Sequence, residues 1–327
     1  MIEDNVSYES ISRAAKRLRN HIVKTPLLKS QYVNQKLKTN LFLKAENLQT
    51  IGAFKFRGAM NTILQLPASV SRVVAWSSGN HAQAVAAASK ITGREATIVM
   101  PEDSPQTKLY GTAFWGATIV KYDRNTENRE EIGKAIAKKN NATVIPPFDD
   151  VNVIIGQGTA GIECIEQLEE INVIPDIVLC CCGGGGLIAG ISTAIRAKFE
   201  KTKIFSVEPE YFDDTKKSLE NNEIISNSMN HKSICDALLA EKPGNITFGI
   251  NKLNLTSGLS VTDNEALKAM NAAYKHFKIV LEPGGAVALA AAISGKIDIK
   301  NKNVLVIASG GNVDKNVFEN CLKTETI

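Results

Sequence analysis

Residues 175–199 read PDIVLCCCGGGGLIAGISTAIRAKF, and the passage from apolar run to four glycines to periodic run decides the fold. Ile177 to Cys182 is short, apolar and bounded by Pro175 and Asp176, the pattern of a buried strand. Leu187, Ile188, Ile191, Ile195 and Phe199 then recur at helical spacing. Adjacent strand side chains point to opposite faces, so Cys180, Cys181 and Cys182 cannot converge on one metal. Cys164, Cys235 and Cys321 stand alone, no C-x-x-C pair exists, and the thiols are read as packing. Gly183, Gly184, Gly185 and Gly186 form a different kind of feature. A glycine loop between a strand and a helix N-terminus exposes backbone N–H groups at the positive end of the helix dipole, which suits an anion. A sharp turn for close helix–strand packing would need fewer glycines. No G-K-[ST] follows the loop, and it lacks the G-x-G-x-x-G spacing with a downstream acid. The expected anion is therefore a phosphate that belongs to neither a nucleoside triphosphate nor a dinucleotide.

The rest of the chain extends the same alternation. RVVAWSS (72–78) precedes NHAQAVAAASKI (80–91), ATIVMP (96–101) precedes QTKLYGTAFWG (106–116), and TIVKY (118–122) precedes ENREEIGKAIAKK (127–139). TVIPP (143–147) closes that series, and KIFSVEP (203–209) and NVLVIASGG (303–311) continue it further on. Between those two lies VTDNEALKAMNAAYKHF (261–277), in which Thr262 and Glu265 suit a capping box. The pattern predicts an α/β protein with two open, mainly parallel twisted sheets and flanking helices. A large domain over 1–68 and 148–327 and a small one over 69–147 are expected.

Composition sets the outer limits. The 327 residues carry 38 Lys and Arg against 34 Asp and Glu, a net charge of +4 spread along the chain, with 44% hydrophobic residues. No basic face for nucleic acid is expected, and no run of about 18 apolar residues is present to span a membrane. The acidic N-terminus without an apolar core, together with unpaired cysteines, points to the cytoplasm.

Three further stretches look too specialised for scaffold. In GAFKFRGA, Lys55 stands between Phe54 and Phe56. It reads equally as a surface lysine with a snorkelling stem or as a desolvated amine poised for Schiff-base chemistry. In WSSGNHAQA, Ser77, Ser78, Asn80 and His81 cluster where a strand ends and a helix begins, at the sheet edge where α/β folds bind ligands. Ser77 or Ser78 alone would serve as an N-cap, so the cluster exceeds what capping needs. His81 has no second metal ligand at suitable spacing. In ASGGN, Ser309 offers a hydroxyl at another strand end. An activatable lysine, a phosphate cradle without nucleotide motifs and polar loops together suggest pyridoxal phosphate, which needs a lysine, a nest for its phosphate and a partner for its ring nitrogen.

AFKFRGA, SSGNHAQA, GQGTAGIE, CCGGGGLIAG, VEPEYFDD, LEPGGAVAL and ASGGNVD stand here in the order found in the threonine dehydratase and serine racemase family. From about Tyr8 to Asp314 the chain resembles these pyridoxal-phosphate enzymes of fold type II, whose architecture is that of the tryptophan synthase β-subunit. The resemblance implies that Lys55 binds the cofactor aldehyde and, once displaced by substrate, removes the α-proton. It implies that Phe54 lies against the cofactor and that Asn80 hydrogen-bonds the ring 3-oxygen. Gly183, Gly184, Gly185 and Gly186, with the Leu187 N–H, would hold the phosphate, and Ser309 would face the pyridine nitrogen. Ser77, Ser78, Asn80 and His81 would receive the substrate carboxylate, with Ser78 as the acid/base of the opposite face. A serine at the ring nitrogen does not force protonation there, which favours prompt loss of a β-hydroxyl over transamination.

The same resemblance places a divalent cation on Glu208, the Phe212 carbonyl and Asp214. All-oxygen ligands suit Mg²⁺ or Ca²⁺. The implied reaction is deamination of L-threonine or L-serine to a 2-oxo acid and ammonia, with serine racemase and 3-hydroxyaspartate ammonia-lyase as alternatives. The partner is thus a small hydroxy-amino acid, and a homodimer is expected. Ala237 of CDAL replaces a glycine of the racemases and puts racemisation in doubt, and Phe148 is placed over the cofactor region.

Overall fold

The computed structural model describes residues 6–228 and 230–325. In chain order, the first part runs α1 (Tyr8–Leu18), β1 (Leu27–Leu28), α2 (Gln31–Leu37), β2 (Asn40–Ala45), α3 (Lys55–Leu64), β3 (Arg72–Trp76) and α4 (Asn80–Ile91). The middle part runs β4 (Glu95–Pro101), α5 (Gln106–Phe114), β5 (Thr118–Tyr122), α6 (Arg129–Asn140), β6 (Thr143–Val144) and α7 (Val151–Glu169). Then follow β7 (Ile177–Cys181), α8 (Gly186–Lys198), β8 (Lys203–Pro209), α9 (Asp214–Asn221), α10 (Asn245–Asn254) and β9 (Ser257–Val261). The chain closes with α11 (Asp263–Ala272), α12 (Pro283–Ile293), β10 (Asn303–Ala308) and α13 (Lys315–Leu322).

The strands form two sheets. One has the order β1-β2-β10-β7-β8-β9 and the other β5-β4-β3-β6. Apart from the antiparallel edge pair β1–β2, the ladders are parallel, so helices must cover the faces. That is why β7 and β10 are continuous apolar runs: Ile177 to Cys181 are all buried, as are Val304 to Ala308. The two sheets carry separate cores, one around β7, β10 and α12 and one around β3, β4 and α4.

Glycines bring three helices together backbone to backbone. A β-carbon on Gly190 of α8 would lie 2.6 Å from the Gly158 α-carbon of α7, and one on Gly156 of α7 would lie 2.8 Å from the Gly58 α-carbon of α3. The GQGTAGIE motif is thereby a close-approach device. Beside it, Arg57 is fully buried, bonded to Glu46 at 2.7 and 2.8 Å and to Glu163 at 2.7 and 2.8 Å. Lys44 completes this group by donating to Glu163 at 2.6 Å.

Three strands escaped the sequence reading, the shortest being the two-residue edge strand β1. β2 carries Lys44, whose charge interrupts the apolar run yet is buried by Glu163. β9 is an edge strand of composition SGLSV, poor in β-forming residues. The predicted capping box of Thr262 and Glu265 is present, with Thr262 N donating to Glu265 Oε2 at 2.8 Å. The helix it starts ends at Ala272 and continues as a π-helical turn over Ala273–Phe277.

Candidate active site

The C-terminal edges of the two sheets face each other, and the sequence-predicted cofactor and substrate residues meet between them. Phe54, Lys55, Ser77, Ser78, Asn80, His81, Gly183 to Leu187 and Ser309 all line one cavity of about 300 Å³. Phe148 and Ala237 line it too. Cys181 and Cys182, read from the sequence as packing alone, are buried but also form part of its wall.

Lys55 begins α3, with its Nζ 5.3 Å from the centre of the Phe54 ring and donating to the Pro147 carbonyl at 2.5 Å. Its side chain opens into the cavity, whose walls screen the amine from bulk water. That desolvation pushes its pKa down to about 8, against a small opposing effect of Cys181. The amine is thus neutral in a useful fraction near neutral pH, which the snorkelling reading does not provide.

At the other end, Gly185 is the N-cap of α8 with φ of +93°, a left-handed conformation suited to glycine. The loop's carbonyls turn outward: Gly184 O accepts from Thr247 Oγ1 at 2.7 Å, and Gly185 O accepts from Asn251 Nδ2 at 3.3 Å. Among the described residues, the N–H groups of Gly183 to Leu187 make no backbone hydrogen bond. Side chains would obstruct this cradle, since a β-carbon on Gly186 would lie 2.7 Å from Gln157 Oε1 and one on Gly184 would overlap the Phe148 ring. The arrangement fits a phosphate.

The SSGNH loop does not cap its helix with a serine. Gly79 is the N-cap of α4, and Ser77 Oγ instead accepts from Gly79 N at 3.1 Å. Asn80 donates one amide hydrogen to Glu282 Oε1 and accepts from Asn312 Nδ2 at 2.8 Å, so its second amide hydrogen remains for a ligand. His81 donates from Nε2 to the Ile145 carbonyl at 2.9 Å, and burial together with the Lys55 charge pushes its pKa down to about 3. It is a neutral imidazole with Nδ1 buried and unpaired among the described residues. Ser309 is buried at the end of β10, and its carbonyl accepts from Phe54 N at 3.0 Å, which ties the serine loop to the lysine loop.

Glu208, Phe212 and Asp214 lie outside this cavity, at the end of β8 and the start of α9. Glu208 is buried and accepts from the N–H groups of Thr215 and Lys216, each at 2.9 Å. Asp214 Oδ1 accepts from Asn227 Nδ2 at 2.5 Å, whereas its Oδ2 is buried without a partner among the described residues. Burial, then the Asp214 charge, pushes the Glu208 carboxyl well above its usual range. No cluster of three or more His, Cys, Asp or Glu side chains suits a metal among the described residues. An unpaired buried oxygen beside a second carboxylate nevertheless fits a cation that draws its other ligands from carbonyls and water.

Sequence reasoning missed the charged rim. Glu282, buried beside Asn80, and Asp236 line the cavity, as do Arg124 and Arg129 near its mouth. Arg124 pairs with Asp103 at 2.7 Å, whereas Arg129, exposed at the start of α6, forms no ion pair among the described residues. Glu282 sits within the LEPGG motif. The others carry no pattern that distinguishes them from solvated surface charge.

Comparison with known proteins places this geometry. The profile of the family described as pyridoxal-phosphate dependent enzyme matches residues 18–310. The chain is 39% identical to an L-threo-3-hydroxyaspartate ammonia-lyase of Saccharomyces cerevisiae, over 94% of each protein. It is 38% identical to a serine racemase of Schizosaccharomyces pombe, again over 94% of each. Among solved structures, a threonine deaminase from T.th. superposes with a TM-score of 0.89 at 38% identity, covering 94% of this chain and 99% of that one.

Proposed function

The chain belongs to the pyridoxal-phosphate dependent enzyme family, and from that premise we propose that it eliminates the β-hydroxyl of L-threonine or L-serine, releasing a 2-oxo acid and ammonia. One observation carries the reading: a single cavity joins a lysine amine with a lowered pKa to the free N–H groups of Gly183 to Leu187. The glycine loop would hold the cofactor phosphate, Lys55 its aldehyde carbon, Asn80 its 3-oxygen and Ser309 its ring nitrogen. When bound, pyridoxal phosphate supplies an electron-withdrawing ring that makes the substrate's α-hydrogen acidic.

The protein's own groups divide the remaining work. The Ser77–His81 loop, at the positive end of the twelve-residue helix α4, receives the substrate carboxylate. Neutral His81 adds no charge there. Lys55 would accept the α-proton on its own face of the substrate, and Ser78 would be the acid/base of the other. Phe148 and the cavity wall keep bulk water from Lys55, which preserves its neutral fraction. A divalent cation on Glu208, Asp214 and the Phe212 carbonyl would hold the turn after β8 away from the reacting atoms. We assign the protein to the cytoplasm and to a homodimer on the sequence reading alone.

Arg129 favours a second substrate, 3-hydroxyaspartate, whose distal carboxylate would meet this unpaired guanidinium near the cavity mouth. Separate incubations with L-threonine, L-serine and 3-hydroxyaspartate, with 2-oxo acid detection and chiral analysis of residual amino acid, test both readings. Release from threonine or serine supports the first, and release from hydroxyaspartate alone selects the second. No 2-oxo acid from any of the three overturns both.

A further inference from the structure

Lys108 has no part in the chemistry described so far, yet its surroundings are unusual for a lysine. It belongs to α5, which packs with the four-stranded sheet, but its side chain is only 1% exposed. Its Nζ lies 2.6 Å from Asp236 Oδ2 and 3.0 Å from Glu282 Oε2. Glu282 caps the start of α12, which packs on the six-stranded sheet, and the turn holding Asp236 packs on α12. Burial works against the charge, but Glu282 and then Asp236 outweigh it and raise the amine's pKa above the free value. The lysine stem also supports the loop beside it: a β-carbon on Gly79 would lie 2.9 Å from Lys108 Cδ and 3.3 Å from Nζ. Glu282 in turn accepts from Asn80 on its other oxygen.

The two ion pairs differ in wetness. The Glu282 side chain is 2% exposed, whereas that of Asp236 is 34% exposed and lines the cavity. Both carboxylates line the cavity, but the Glu282 pair is the drier and the Asp236 pair the more open to solvent. A solvent-exposed ion pair on a helix surface has neither this burial nor a contact with a binding loop.

We propose that Lys108 is a positioning residue for the reaction. It clamps the four-stranded sheet to the six-stranded one across the cavity and thereby fixes the Gly79–Asn80 segment at its working distance from Lys55. It acts on amino-acid binding through that loop and does not touch the reacting atoms. The inference rests on reading the cavity as an amino-acid site, and the test separates the two.

Hydrogen exchange of the holoenzyme without amino acid reads the clamp directly, and steady-state kinetics read its consequence. Lys108→Met is expected to accelerate exchange in residues 77–81 while leaving β7 and β10 unchanged. It should raise KM for the amino acid about tenfold or more with a smaller change in kcat, and the bound cofactor's visible band should persist. Lys108→Arg should recover part of the loss. Asp236→Asn should shift KM in the same direction by less, and the double variant should be no worse than Lys108→Met, because the pair acts as a unit. Exchange that rises uniformly across the protein, an unchanged loop and KM, or losses that multiply in the double variant would each overturn the proposal. If Lys108→Met does not fold because Glu282 is left unpaired, Lys108→Met with Glu282→Gln carries the same exchange test. A wild type that turns over no amino acid defeats the lyase reading, while the exchange measurement still decides the clamp.

Discussion

Phe148 lies across the α-carbon of Gly184, so that a β-carbon on residue 184 would overlap the aromatic ring. The ring and the loop thus share one space, and the loop holds its shape only while residue 184 is bare. Gly184→Ala is expected to weaken pyridoxal phosphate binding about tenfold or more, the scale of losing one well-placed charge-assisted contact. Titrating apoprotein with the cofactor and following the visible band measures this. Adding Phe148→Leu should restore part of the affinity. No change in the single variant would mean that the ring yields freely.

Lys55 makes the capture of cofactor pH-dependent. With a folded pKa of about 8, the amine is protonated and inert at lower pH, and becomes a nucleophile as pH rises through that value. The rate of covalent loading of apoprotein, trapped by borohydride, should therefore climb between about pH 7 and 9 and then level. Peptide mapping should find the cofactor on Lys55. Lys55→Ala should abolish trapping and lower 2-oxo acid release by about a thousandfold or more, within the range of a lost general base. A cofactor mapped to another lysine would show that this assignment is wrong.

Ser78 separates two stereochemical outcomes. Because Lys55 and Ser78 are assigned to opposite faces of the substrate, Ser78→Ala should remove any turnover of D-serine and leave L-threonine deamination largely intact. Parallel assays of the two enantiomeric series decide the matter. Equal losses in both would place Ser78 on the carboxylate instead.

The carboxylates outside the cavity predict a cation response. Among the described residues, Asp214 Oδ2 is buried without a partner beside buried Glu208. Chelation should lower the melting temperature, and Mg²⁺ or Ca²⁺ should restore it by mass action. With few protein carboxylates the shell must be completed by carbonyls and water, so millimolar cation is the expected scale, roughly that of weak calcium modules. Asp214→Asn should erase the response and leave cofactor loading unchanged. A wild type indifferent to EDTA in both melting and activity would remove the cation from the account.

Arg57 is a test of stability rather than chemistry. It is fully buried between Glu46 and Glu163, with Lys44 on the far side of Glu163. Arg57→Ala leaves buried carboxylate charge uncompensated, at a cost of about 3–5 kcal/mol, or roughly 10 °C in melting temperature for a chain of this size. Adding Glu46→Gln should recover part of that loss. A shift of only a degree or two would show that the site admits water.

The parallel sheets were legible because strands buried on both faces are written as unbroken apolar runs, as in Val304 to Ala308. The cofactor end was legible for a related reason. Backbone that must approach a ligand is written in glycine, whereas Lys55 between its aromatics read equally as a surface lysine until the wider resemblance singled it out. The rim was not. Asp236 and Arg129 reach the cavity only when α6 and the loop before α10 are brought to one opening, Lys108 is buried behind it against Asp236, and each looks locally like an ordinary solvated charge. β2 was missed on the same ground, since Lys44 disguises an internal strand as a surface one. The three cysteines beside the glycine loop were read as packing, and they are buried, but strand alternation alone did not reveal that two of them face the cavity.

The glycine contacts of α7 also bear on redesign. Through Gly156 it touches the helix that begins with Lys55, and through Gly158 the helix that begins at the phosphate cradle. The spacing between amine and loop is therefore set largely by main chain against main chain, with only a few flanking side chains such as Val153 and Gln157 in contact. Ala237, Arg124 and Arg129 belong to segments outside those contacts. An engineer seeking a new amino-acid preference should be free to vary the opening extensively while the reactive centre keeps its dimensions. A selection that enriches changes at 156, 158 or 190 would be trading the centre itself.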